Sequence, residues 1–149
     1  MRTLRDAFLL MMLALVAAAA THFFHPRAPS WYLDRGPVAE DEVTLSQIEE
    51  KWKGDVLWID ARVRSQYVKG HVRGALLINE QERDQLLFES IAVLQDNKKP
   101  IIVYCDSGAC QASRKIRQHL IVNMHPEEIF VLHGGWDALA KSRFVASGK

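Results

Sequence analysis

Only two cysteines, Cys105 and Cys110, occur in 149 residues. So few exclude a disulfide-dense scaffold, and their closeness in sequence stops them from joining distant parts of a fold. Their meaning is local. Net charge is also nearly absent, because 19 Lys and Arg against 18 Asp and Glu leave +1 at pH 7. Nucleic acid is therefore not an expected partner, since phosphate backbones are bound by clustered cations and no basic stripe occurs. From Val38 onward there is no internal repeat and no low-complexity tract, so one domain is expected, and a monomer. Metal-ligand spacing is missing too. Zinc takes three or four protein ligands, whereas C-x4-C has no His pair beside it and nothing gathers His119, His125 and His133. Those histidines read as surface or internally satisfied groups, and no metal or cofactor is expected.

What is present begins with "MRTLRDAFLLMMLALVAAAATHFF". Arg2 and Arg5 precede an almost unbroken apolar run, the layout of a membrane anchor or a secretory signal. Phe23 and Phe24 extend that run toward the ~20 residues a span needs, while Ala18, Ala19 and Ala20 suit signal cleavage. With the arginines kept on the cytoplasmic side, the rest of the chain is expected outside the cytoplasm, on the periplasmic side in a bacterium, tethered or secreted. Residues 1–24 are thus read as anchor or signal, 25–37 as a Pro-rich linker, and 38–149 as the folded domain.

Within that domain Ser46 and Glu49 have capping-box spacing and predict a short helix through about Trp52. "DVLWID", "GALLI", "IIVY" and "EEIFVL" read as strands buried on both faces. Leu86, Leu87, Ile91 and Leu94 recur at helical spacing, as do Ala112, Ile116 and Leu120. "WDALAKS" gives a last helical turn or two. Short apolar strands alternating with helices predict a mostly parallel α/β sheet covered on both faces, and such sheets bind ligands beyond the carboxyl ends of their strands. Cys105 lies at one of those ends.

A thiol is nucleophilic as the thiolate, and a helix N-terminus can lower a cysteine pKa from ~8.5 into the range ~3.5–7.5. "CDSGAC" between strand and helix offers that setting, with Gly108 letting the backbone curl so that N–H groups converge on one centre. A buried, inert cysteine at a strand end is the alternative, and the glycine-containing loop weighs against it. A cysteine phosphatase is excluded by one residue, because its phosphate-gripping arginine would stand where Gln111 is.

Three stretches in order, "VLWIDARVRSQYVKGHVRGALLI", "IIVYCDSGACQAS" and "VLHGGWDAL", resemble the rhodanese-like (sulfurtransferase) family over about Val43 to Ala140. The resemblance implies five mainly parallel strands flanked by helices on both faces. It also implies a Cys105 persulfide that carries sulfane sulfur from a small donor to a thiol or protein acceptor. By position Asp106, Ser107, Gly108, Ala109 and Cys110 would be the substrate-binding loop, and Asp60 and Arg62 a structural ion pair beside it. Gly70, His71 and Gly74 would set a turn and start a strand, and Trp136 would pack the last helix.

Three positions depart from the family pattern. Cys110 stands where thiosulfate-using members often carry a basic residue, with Arg114 one helical turn beyond as a partial replacement. Arg73 replaces the usual Pro and Leu139 a usual Trp. Two other functions compete with sulfur transfer: a thiol redox protein in which Cys110 resolves Cys105 to a disulfide, and a non-catalytic binding module of the same fold.

Overall fold

The computed structural model describes residues 6–8, 10–14, 38–107, 111–140 and 142–147, and the chain divides into two units, Met1–Asp34 and Arg35–Lys149. In the first unit the described residues are helical, with Phe8, Leu10, Met11, Met12 and Leu13 exposed. Among the described residues no helix is long and apolar enough to cross a membrane. The rest of the expected anchor and the linker at 25–37 lie outside the described residues.

The second unit runs β1 (Glu42–Val43), α1 (Leu45–Trp52), β2 (Leu57–Asp60), α2 (Arg64–Lys69), β3 (Gly70–Val72) and β4 (Leu76–Leu77). It continues through α3 (Arg83–Asp96), β5 (Ile101–Tyr104), α4 (Gln111–Met124), β6 (Ile129–Leu132), α5 (Gly135–Leu139) and β7 (Val145–Ser147). Five strands form one sheet in the order β1-β6-β5-β2-β4, every neighbouring pair parallel. A separate antiparallel ribbon joins β3 to β7.

Strand alternation sends side chains to two cores. On one face Trp58, Ile102, Tyr104 and Leu132 pack with Ile48 of α1, Val72 of β3 and Leu139 of α5. On the other Ile59, Val103 and Cys105 pack with Leu94 of α3 and with Ile116 and Leu120 of α4. Ile48, Ile59, Ile102, Ile116 and Leu120 are at most 1% exposed. Each such burial contributes ~1.5–3 kcal/mol.

Two expectations shift. The cap of the first helix is Thr44, whose hydroxyl accepts from Gln47 N–H at 3.2 Å while the Gln47 side chain accepts from Thr44 N–H at 2.8 Å. Thr44-x-x-Gln47 meets the capping-box pattern two residues before Ser46-x-x-Glu49, and its reciprocal bonds satisfy the first free donors of the helix. The buried stripe of α4 is Ser113, Ile116 and Leu120, with Ala112 only partly buried.

Candidate active site

β5 lies at the centre of the sheet, paired with β6 on one side and β2 on the other. Its ladder ends with Tyr104 opposite Asp60, where Ala61 N–H donates to the Tyr104 carbonyl at 2.8 Å. Among the described residues no strand pairs with the chain beyond that point. The next carbonyl, of Cys105, instead accepts from Trp136 N–H at 2.7 Å. Such close approach is possible because Gly134 and Gly135 have φ of 80° and 53°, in the left-handed region. A Cβ on Gly135 would lie 2.5 Å from the Cys105 carbonyl oxygen and 3.1 Å from Ser107 N.

Alternation turns the Cys105 side chain to the face covered by α4, and the residue is 2% exposed. Its Sγ donates to the Ser107 carbonyl at 3.3 Å and lies 3.3 Å from Ser113 Oγ, on the buried stripe of α4. The carbonyl suits a protonated thiol. The hydroxyl is able to turn and donate to a sulfur anion. Ser107 is half-buried and Asp106 exposed, the Asp106 carboxylate accepting from Gln66 Nε2 of α2 at 3.1 Å. Gly108, Ala109 and Cys110 lie outside the described residues.

Behind the loop Asp60 and Arg62 form a buried pair, with Arg62 Nη2 2.7 Å from Asp60 Oδ2 and Arg62 Nε 3.0 Å from Oδ1. Arg62 also donates to the Gly70 carbonyl at 2.7 Å, and its guanidinium carbon lies 3.8 Å from the centre of the Trp136 ring. Burial works against the Arg62 charge, but the hydrogen bond and charge of Asp60, helped by Tyr104 and Asp106, hold its pKa above the ordinary value. Tyr104 hydroxyl donates to Asp60 Oδ2 at 2.8 Å and accepts from Val72 N–H at 3.1 Å. Burial first, then the Asp60 charge, push its phenol pKa up. Trp136 therefore does more than pack a helix. Its ring covers the ion pair while its backbone N–H fixes Cys105.

Arg114, expected to help bind substrate, is hydrogen-bonded to Asp41 and Glu42. Its Nη1 donates to both Asp41 oxygens at 3.0 and 2.8 Å, and its Nη2 to Glu42 Oε1. Among the described residues no group of three His, Cys, Asp or Glu is placed to hold a metal, and His133 Nδ1 lies 2.8 Å from Glu42 Oε2. His71, stacked on Tyr67 at 3.9 Å between ring centroids, contacts the Tyr67 carbonyl through Nδ1 at 2.9 Å. Ser113 was not legible as a site residue, although a serine within an apolar helical stripe is itself the signal.

Residues 45–142 match the family described as the rhodanese-like domain, well over half of the chain. The chain belongs to the rhodanese-like domain family. Similar solved structures include the BH2092 protein of Bacillus halodurans, at TM-score 0.56 and 21% identity over 72% of this chain and 77% of that one. A rhodanese-related protein from Thermoplasma volcanium gives TM-score 0.51 and 17% identity over 70% and 96%. The 3-mercaptopyruvate sulfurtransferase of Leishmania major gives 0.54 and 17% over 76% of this chain and 38% of that one. No curated protein matches the sequence. The rhodanese-like fold, with its five-stranded parallel sheet and flanking helices, thus places Cys105 at the carboxyl end of the central strand.

Proposed function

We propose that this rhodanese-like domain is a sulfurtransferase in which Cys105 carries the sulfur. The observation that carries the reading is the Cys105 sulfur at the carboxyl end of β5, 3.3 Å from the Ser113 hydroxyl, with its own carbonyl pinned by Trp136 N–H. The likeness to a 3-mercaptopyruvate sulfurtransferase supports it at the level of fold. In the first half-reaction the Cys105 thiolate attacks the sulfane sulfur of a small donor. The donor's bond to that sulfur breaks, the leaving group departs with the bonding pair, and Cys105 becomes a persulfide. In the second, an acceptor thiolate attacks the outer persulfide sulfur and Cys105 leaves as thiolate. No external oxidant or reductant is needed, because each step exchanges one S–S bond for another. In this reading Asp106 and Ser107, with Gly108, Ala109 and Cys110 that follow them in sequence, supply the substrate-binding stretch. Ser113 donates to the anion as it forms, while Asp60 and Arg62 keep the floor of the loop in place. The arginine-flanked apolar N-terminus supports a domain tethered to a membrane and working outside the cytoplasm.

The test is sulfur transfer to a thiol acceptor by the full chain and three variants. Cys105→Ser should abolish transfer and Cys110→Ser should retain much of it. Ser113→Ala loses one hydrogen bond of ~0.5–1.5 kcal/mol and should slow transfer by about two- to tenfold. Undiminished transfer by folded Cys105→Ser would sink the proposal.

A further inference from the structure

A cleft of about 400 Å³ lies between the residue that closes α1, strand β2 and the ends of the β3–β7 ribbon, within the ~300–1,000 Å³ of small-molecule sites. It is not the cysteine site. Its wall residue Trp58 belongs to the core on one face of the sheet, whereas Cys105 packs into the core on the other. Trp58 and Phe144 form its aromatic side, with ring centroids 5.5 Å apart and planes at 51°. A Cβ added to Gly54 would lie 3.0 Å from Phe144 Cε1, so that ring rests against bare backbone. Its polar side is cationic, with Lys53, Arg73 and Arg143 all exposed. Arg143 is matched by Glu49, its Nη2 2.5 Å from Oε1, and the neighbouring Asp55 is held by Lys99 Nζ at 2.5 Å. Arg73 is different. Among the described residues it is the one arginine without a carboxylate partner, and Lys53 has none either. The backbone donors beside them are committed, since Lys53, Gly54 and Arg73 N–H reach the carbonyls of Glu49, Ile48 and Phe144. What remains for a ligand is one ammonium and one guanidinium.

We propose that this cleft binds a small phosphate monoester carried on a flat apolar group, a function separate from sulfur transfer. Two cations without carboxylate partners match the two charges of a phosphate monoester, whose second pKa of ~6 makes it mostly a dianion at neutral pH. A guanidinium presents parallel N–H donors to two phosphate oxygens, and an ammonium adds a point charge with three donors. Arg143 offsets the one carboxylate close by, because its guanidinium donates to both oxygens of Glu49. The apolar group lies along Phe144 and Trp58. Because Arg73 replaces the usual Pro, this charge belongs to the chain itself and not to the family pattern.

The test titrates the full chain, in mild detergent at pH about 7.5, with phenyl phosphate, inorganic phosphate or phenol, and follows backbone amide resonances. Phenyl phosphate should shift the amides of Gly54, Arg73 and Phe144 saturably, and should bind at least about tenfold tighter than inorganic phosphate or phenol. Arg73→Gln and Lys53→Gln should each weaken it by about tenfold, and Arg73→Lys by less, since the charge stays while the fork is lost. Both residues are exposed, so these variants leave the core untouched. Phe144→Leu should weaken phenyl phosphate and leave inorganic phosphate unmoved. Phenol or inorganic phosphate binding as tightly as phenyl phosphate overturns the proposal. So do shifts centred away from these amides, or an affinity unmoved in both folded Gln variants.

Discussion

Tyr104 links the core to the site through one oxygen, which donates to Asp60 at 2.8 Å and accepts from Val72 N–H at 3.1 Å. Tyr104→Phe keeps the ring but leaves both partners short of a hydrogen bond, so we expect a loss of ~1–3 kcal/mol at pH 7 in urea unfolding. Its pH dependence is separable. The folded phenol pKa is raised above the ordinary 10.0, so the contribution is fully present below that value. Above it the unfolded chain releases the proton while the folded chain keeps it, and stability falls as pH rises. Tyr67 is raised as well, by burial and Asp60, and shares this slope. Tyr104→Phe should flatten the alkaline fall seen in wild type, and an equally steep fall in the variant would contradict the assignment. At this scale the place of Cys105 after a strand was legible from the apolar run before it, whereas the pairing of Asp60 with Arg62 was implied by the family resemblance alone. Ser113 was missed because reading α4 through Ala112 put the buried face one residue off. The commitment of Arg114 was illegible, since Asp41 and Glu42 lie more than 70 residues away in sequence.

The turn between β6 and α5 is the element that holds the cysteine loop. Gly135 has φ of 53°, and an added Cβ would meet the Cys105 carbonyl at 2.5 Å, so backbone must move against backbone. Left-handed strain alone costs ~1–2 kcal/mol. Gly135→Ala should therefore lose ~2 kcal/mol or more and slow sulfur loading by about tenfold as the loop shifts. Gly74 is the control. Its φ is 76° with nothing within 4 Å of an added Cβ, so Gly74→Ala should show a similar strain cost and near-normal loading. Equal loading by the two variants would show that the turn does not position the loop. Among the elements, β5 was legible residue for residue because Ile101–Tyr104 is a buried run bounded by Pro100. β1, only Glu42–Val43, and α2, which buries no residue, carry no periodicity to read. The β3–β7 ribbon depends on a pairing across the whole domain, His71 opposite Ala146, which no local pattern records.

At the scale of the molecule, the described members of the two cores on either face of the sheet all come from Val43 onward. A chain of Val38 to Lys149 should therefore be soluble and unfold in one cooperative transition. If it aggregates while the full chain is monomeric in plain buffer, the N-terminal segment belongs to the core. Fold class followed from apolar strands alternating with helices, and the rule that such sheets bind ligands at their carboxyl ends singled out the candidate site after β5. The measurement that bears most directly on the account is intact-mass spectrometry of the full chain after a sulfane donor, followed by peptide mapping and then by a thiol acceptor. The account predicts a gain of about 32 Da, located on Cys105, retained in Cys110→Ser, absent in Cys105→Ser and removed by the acceptor. A loss of about 2 Da with Cys105 joined to Cys110, and no transferable sulfur, would contradict it and identify a dithiol redox protein.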